Sequence, residues 1–313
     1  MNLFKAVTAA LSLRPGRSVI LSERGNFPTD LYMMQGIAAF GGGRIRAEAV
    51  DADTLLDRLN GDVAVLLLTQ VHYKSGRMRD MVAVTRRAHA NGVLTVWDLS
   101  HSAGAVPVDL NGEQADFAVG CGYKFLNGGP GAPAFLYAAA RHQAAAVPVL
   151  SGWFGHAEPF AFEDAYRPAP GIERFQCGTP PVLGLAALEC GVDLMARADI
   201  GMLRAKSLAL ADTFMRAMEE RCDGFGFTLA SPRDPELRGS QVSYAHPHGY
   251  EIMQAIKARG LIGDFRAPDI LRFGLTPLYL RHVDMIDAVE VIRDVCATGA
   301  WDRPEYRERA TVT

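Results

Sequence analysis

Three segments put an ionisable side chain at the end of an apolar run of strand character, where open parallel sheets form crevices. In Thr95-Val96-Trp97-Asp98-Leu99-Ser100-His101-Ser102, a carboxylate closes the run. An ionised group there is costly without a partner. Asp98 is therefore either the N-cap of a following turn or a carboxylate that holds a cation. In Gly120-Cys121-Gly122-Tyr123-Lys124-Phe125-Leu126-Asn127-Gly128-Gly129-Pro130-Gly131, a lysine follows a buried run and opens a glycine-rich loop. It is either a solvated surface residue or an amine set to condense with an aldehyde, which requires burial or neighbouring charge to tune it. The glycine spacing matches neither a Walker loop nor a dinucleotide fingerprint. In Asp269-Ile270-Leu271-Arg272-Phe273-Gly274, a guanidinium interrupts an apolar run. Arg272 is either an ion pair at a strand edge or a fork for a substrate carboxylate.

The elements that would carry these groups alternate. Residues 2–13 have helical apolar spacing (Leu3, Phe4, Val7, Leu11), and Pro15-Gly16 ends them. Ser18 to Ser22 reads as a short buried strand, and 30–40 as a helix stopped by Gly41-Gly42-Gly43. Val63 to Thr69 is nearly all hydrophobic, as in a parallel strand covered on both faces. A helix over 80–89, closed by Asn91-Gly92, leads to strands at 93–97, 116–119 and 134–137. That order predicts right-handed crossovers and a mainly parallel sheet, the large domain of an α/β protein. Beyond about residue 182 come long helices at 183–196 and 201–221. Short strands at 225–230, 241–244 and 270–274, and helices at 249–259 and 282–297, predict a smaller α+β domain.

Composition narrows the class. The chain has 313 residues, 49% of them hydrophobic and 21% charged, with a formal net charge of -3. Mixed charge without a basic stripe excludes the electrostatic footprint of a nucleic-acid binder. No apolar run reaches the length of a membrane span, and the first residues lack the pattern of a secretory signal. Cys121, Cys177, Cys190, Cys222 and Cys296 form no CxxC pair and point to reduced thiols in a cytosol. His246-Pro247-His248 lacks further ligands nearby and reads as a loop rather than a metal site. Tyr73-Lys74-Ser75-Gly76-Arg77 reads as a loop at a site mouth.

Several segments in order resemble kynureninases: Asn26-Phe27-Pro28-Thr29-Asp30-Leu31-Tyr32, Trp97 to Ala105, Gly120 to Gly131, Ser151-Gly152-Trp153-Phe154-Gly155-His156, Cys177-Gly178-Thr179-Pro180 and Arg272-Phe273-Gly274. The resemblance runs from the first residues to about 295. It implies a pyridoxal-phosphate enzyme of the aspartate-aminotransferase fold type, with a cofactor-binding large domain over 1–190 and a linker helix and small domain over 191–313. Lys124 would form the Schiff base with the cofactor and Asp98 would pair with the pyridine nitrogen, keeping the ring an electron sink. Phe27 would stack on the ring and Asp30 would set its electrostatics. Tyr123 and Trp153 would reach the phosphate, with Tyr123 also a candidate proton donor. Thr179 would lie near the cofactor or substrate, across a dimer interface, and His101 near the cofactor. Arg272 would hold the substrate's carboxylate.

The implied reaction is hydrolysis of L-kynurenine, or its 3-hydroxy form, to anthranilate and L-alanine. It belongs to tryptophan catabolism and NAD biosynthesis, in a cytoplasmic homodimer. Kynureninases carry a sizeable N-terminal part, including a phosphate-gripping loop, before the helix that here begins at Met1. The resemblance therefore also implies a weaker hold on the cofactor and lower stability. Two alternatives stand beside it: an inactive or weakly active truncated paralogue, and a lyase similar to cysteine desulfurases. The latter usually place a histidine just before the cofactor lysine, where this chain has Tyr123.

Overall fold

The computed structural model describes residues 1–309, which fall into two compact units. The first comprises Met1–Gln70, Arg79–Ala103 and Val108–Arg197, and the second Val71–Met78, Gly104–Pro107 and Ala198 onward.

The first unit is built on a sheet of order β2-β1-β3-β4-β5-β6. Its strands are β1 (Val19–Glu23), β2 (Arg46–Val50), β3 (Val63–Thr69), β4 (Leu94–Asp98), β5 (Phe117–Cys121) and β6 (Ala134–Ala138). All neighbours pair in parallel except β6, which runs antiparallel to β5. The apolar runs became the interior strands: every residue of β1, β3 and β4 is buried. Alternation along them feeds two cores. Ile20, Val65, Leu67, Val96 and Phe117 pack beneath α1 (Asn2–Ser12) and α2 (Pro28–Phe40). Leu21, Leu66, Leu68 and Trp97 pack on the opposite face with α3 (Met81–Ala90). Burying one such side chain contributes about 1.5–3 kcal/mol. Asp80 caps α3 by accepting from the Ala83 amide at 2.9 Å, and Gly92 turns the chain at φ 68° where the helix ends. The buried Trp97 indole donates to Thr85 on α3 at 3.2 Å, tying helix to strand. After a short α4 (Ala140–Gln143), α5 (Val182–Arg197) ends this unit.

The second unit carries a sheet of order β7-β8-β10-β9, antiparallel throughout. It is formed by β7 (Thr228–Leu229), β8 (Gln241–Ala245), β9 (Asp264–Arg266) and β10 (Ile270–Gly274). Helices α6 (Ile200–Arg221), α7 (Gly249–Lys257) and α8 (His282–Ala297) bury one core with it around Phe214, Ile252, Leu271 and Ile292. The short strand expected over 225–230 is two residues only, Thr228–Leu229, and Phe225 and Phe227 pack against the core outside the ladder. β2 and β9 had no sequence signal. The first is a charged edge strand and the second is three residues long. Among the described residues no helix is long and apolar enough to cross a membrane.

One buried polar cluster braces the first unit at the start of β5. Asp116, 1% exposed, accepts from the Thr95 amide (2.8 Å) and from Arg141 Nη2 (2.8 Å). His142 Nε2 and His89 Nε2 each lie 2.7 Å from it. Burial by itself would raise its pKa, but hydrogen bonds from His142, His89 and Thr95 hold the carboxyl well below the usual range. A paired, satisfied carboxylate of this kind is costly to break. Asp116→Asn is expected to lose about 3 kcal/mol of stability in urea unfolding at neutral pH; a loss under about 0.5 kcal/mol would show the cluster to be unimportant.

Candidate active site

The carboxyl ends of β1, β3, β4 and β5 converge on one edge of the first unit, and the polar segments of the sequence follow from them. Parallel register aligns Thr69 of β3 with Asp98 of β4. Paired residues project to the same face. Both belong to the face covered by α1 and α2, as does Ser22 of β1. Immediately after β1 the chain turns through Asn26 into α2, whose N-cap is Phe27 and whose first turn holds Asp30. Pro28 at the first helical position fits, since no amide donor is needed there.

Asp98 and Asp30 are both buried, 7% and 4% exposed. Asp98 Oδ1 accepts from the Ser100 amide at 2.7 Å, so it braces a turn rather than capping a helix. Burial pushes its pKa up, against the lowering influence of Ser100 and of the Lys124 ammonium. Asp30 is pushed up to about 8, by burial first and by the neighbouring Asp98 second, with Lys124 opposing. Asp30 Oδ2 has no hydrogen-bond partner among the described residues, and the same holds for the buried Gln70 Oε1 and Ser102 Oγ. Two buried carboxyl groups thus face one amine. The orphaned acceptor on Asp30 beside a second buried carboxyl group is a lining that would fit a cationic ring nitrogen.

Lys124 owes its position to a tight loop at the end of β5. Gly122 donates to Pro133 O at 3.1 Å, Asn127 to Lys124 O at 3.0 Å, and Gly128 to Gly122 O at 2.9 Å. A Cβ at Gly122 would sit 2.5 Å from Pro133 O, and one at Gly191 of α5 would sit 2.4 Å from Leu126 O. Only glycine lets those backbones meet. The Lys124 ammonium lies 5.5 Å from the centroid of the half-exposed Tyr123 ring. His101, 9% exposed, follows Asp98 in the turn after β4.

Trp153 and Thr179 belong to a second cluster of the same unit. Gly152 is pressed against the Cys177 carbonyl, and the Trp153 indole nitrogen lies 3.9 Å from a Cβ built at Gly178. Trp153 is 39% exposed and Thr179 is exposed. Arg272 sits on β10 of the second unit, where it donates to Tyr73 O at 2.5 Å and pairs with Asp264. The structure therefore brings Phe27, Asp30, Asp98, His101, Tyr123 and Lys124 to one sheet edge, while Trp153 lies beside Gly178, the residue before Thr179, in loops of the same unit.

Sequence reading passed over Asn26, Thr69, Gln70 and Ser102 as site residues. Their signal was positional only: each lies within a few residues of a strand's carboxyl end.

Comparison with known proteins is consistent along the chain. The family model described as "Kynureninase C-terminal domain" matches residues 203–292. The kynureninase of Burkholderia pseudomallei is 53% identical over 319 aligned positions, which cover 100% of this chain and 76% of that protein. The kynureninase of Deinococcus radiodurans is 55% identical, covering 94% of this chain and 72% of its own length. Among solved structures, an apo cysteine desulfurase from Thermococcus onnurineus NA1 superposes with a TM-score of 0.78 at 18% identity, covering 95% of this chain and 77% of that one. The cystine C-S lyase C-DES does so with a TM-score of 0.78 at 17%, covering 93% and 80%. At that identity the likeness to the sulfur enzymes is one of fold.

The Asp30 carboxyl gives a pH signature. Its folded pKa of about 8 lies above its ordinary value of 3.8. The stability it contributes is therefore full below about pH 4 and is lost as pH rises through 8. In cofactor-free protein, Tm is expected to fall from about pH 5 to about pH 8 and to level off above it, and Asp30→Asn to remove most of that fall. Superimposable pH profiles for the two proteins would contradict the burial and coupling of this group.

Proposed function

The chain belongs to the kynureninase family of pyridoxal-phosphate hydrolases, and from that premise we propose how its own residues serve the hydrolysis of L-kynurenine to anthranilate and L-alanine. The observation that carries the reading is the convergence of Lys124 on two buried carboxyl groups, Asp98 and Asp30, at the carboxyl edge of the sheet. The cofactor, when bound, supplies a cationic ring that accepts the electron pair released at the substrate's α-carbon.

Lys124 is the amine that holds the cofactor. Its amine, when free, would move protons at the substrate's α-carbon. Asp98 keeps the ring nitrogen protonated, since a buried carboxylate without a cation is unfavourable. Asp30, buried beside it, adds negative potential and stabilises the same positive charge. Phe27 provides an aromatic face that fixes the ring plane. Tyr123 and Trp153 donate to the phosphate, and His101 contributes beside Asp98. Water adds to the substrate's γ-carbonyl, Cγ leaves as the carboxylate of anthranilate when the Cβ–Cγ bond breaks, and Tyr123, next in sequence to Lys124 and half-exposed, serves as the acid that protonates the β-carbon. For Arg272 we assign the α-carboxylate of the substrate: a guanidinium fork binds it in two places. Its contact with Asp264 holds the side chain ready. Thr179 supplies a hydroxyl near the substrate.

A cytoplasmic homodimer acting in tryptophan catabolism toward NAD biosynthesis completes the reading. In its support, α5 buries only Gly191 while Val182, Leu183, Leu185, Val192 and Leu194 stand exposed, an apolar face of the kind a second copy covers. The cysteine-desulfurase alternative draws only on fold likeness at 17–18% identity, whereas the kynureninases match at 53–55%.

Three variants test these assignments. Lys124→Ala is expected to abolish the visible absorbance that wild type gains with pyridoxal phosphate, and to cut anthranilate fluorescence from kynurenine at least about a thousandfold. Arg272→Lys keeps the charge but loses the fork, and is expected to lower kcat/KM roughly tenfold to a hundredfold. Full activity in either variant would contradict the assignment. Leu183→Glu is expected to shift sedimentation toward monomer, and an unchanged profile would remove α5 from the interface.

A further inference from the structure

Asn26 touches none of the groups assigned to chemistry by charge, yet its side chain is 1% exposed and both its polar atoms are hydrogen-bonded. Its carboxamide joins three elements. Oδ1 accepts from the Phe27 amide at 2.8 Å and from Thr69 Oγ1 at 2.9 Å. Nδ2 donates to Ser22 Oγ at 3.0 Å, and Ser22 in turn donates to Leu67 O at 2.7 Å. The orientation of the amide is fixed by chemistry: the Phe27 N–H can only donate, so the atom facing it must be the oxygen. One side chain thereby links β1, β3 and the start of α2.

What hangs from it is the first turn of α2. Phe27 is the N-cap, yet no side chain caps this helix, so its entry angle is not set in the usual way. Asp30 donates its amide to Phe27 O at 2.9 Å, so its carboxyl inherits any displacement of Phe27. We propose that Asn26 is a positioning residue: by locking the Phe27 amide to β1 and β3 it sets the plane of the Phe27 ring and the reach of the Asp30 carboxyl toward the cofactor ring. This rests on the reading that Phe27 stacks on that ring. Positional errors of about an ångström at such contacts cost up to a hundredfold in rate, while a purely structural role would move only stability.

The test compares holoenzyme of wild type, Asn26→Ala, Ser22→Ala and Phe27→Ala. Three quantities are read: visible circular dichroism per bound pyridoxal phosphate, kcat and KM for kynurenine, and hydrogen exchange at the Phe27 amide in cofactor-free protein. Asn26→Ala is expected to reduce the dichroism per bound cofactor and to lower kcat about tenfold, with KM changed by less than about twofold. It should also speed exchange at Phe27. Ser22→Ala removes only the outer bond and is expected to give smaller changes in the same direction; it decides the matter if Asn26→Ala does not fold. The proposal is overturned if both variants keep wild-type dichroism and kcat and lose only thermal stability. If Phe27→Ala changes dichroism and kcat under those conditions, the stacking reading stands and the role of Asn26 alone fails. If Phe27→Ala is also silent, the stacking reading fails and takes the proposal with it.

Discussion

The structure of this site follows from one electrostatic constraint: two carboxyl groups and one amine are held together where water is largely excluded. Burial makes ionisation of both Asp98 and Asp30 costly, Asp98 adds to that cost at Asp30, and Lys124 opposes it at both. In a buried setting such a surplus of acceptor is unfavourable unless a cation arrives. In the proposed reading a protonated pyridine nitrogen would meet that need, and the same carboxylates would keep it an electron sink. Binding and chemistry thus draw on a single interaction.

Everything around the three groups serves to hold them in place. The sheet brings Asp98 and Thr69 into register, and the β1–α2 turn brings Asp30 over the same face. The loop after β5 is tight enough that glycine at 122, and at 191 on α5, is needed for the backbones to meet. Far from the site, Asp116 ties the opening of β5 to α3 and to the segment after β6 through His89, Arg141 and His142. The strand that delivers Lys124 is therefore anchored at its start by polar contacts and at its end by close packing.

Much of this was legible in the sequence, for physical reasons that differ by element. Val63–Thr69 and Leu94–Asp98 declared themselves because an interior parallel strand has no polar face to show. Asp98, Lys124 and Arg272 stood out because a charge at the end or middle of such a run needs an explanation. β2 stayed hidden, since its Arg-Ala-Glu-Ala-Val text is that of a charged edge. Segments 71–78 and 104–107 join the second unit through contacts distant in sequence, which no local pattern encodes. Asn26 escaped for a similar reason. An asparagine before Phe-Pro reads as turn chemistry, and only three-dimensional pairing with Ser22 and Thr69 reveals its span.

The most direct test of the central claim is to load the protein with pyridoxal phosphate, reduce it with borohydride and map the modified lysine by peptide mass spectrometry. The carboxylate-flanked amine predicts a single phosphopyridoxyl group on Lys124. Modification of Lys5, Lys74, Lys206 or Lys257 instead, or of no lysine at all, would contradict it.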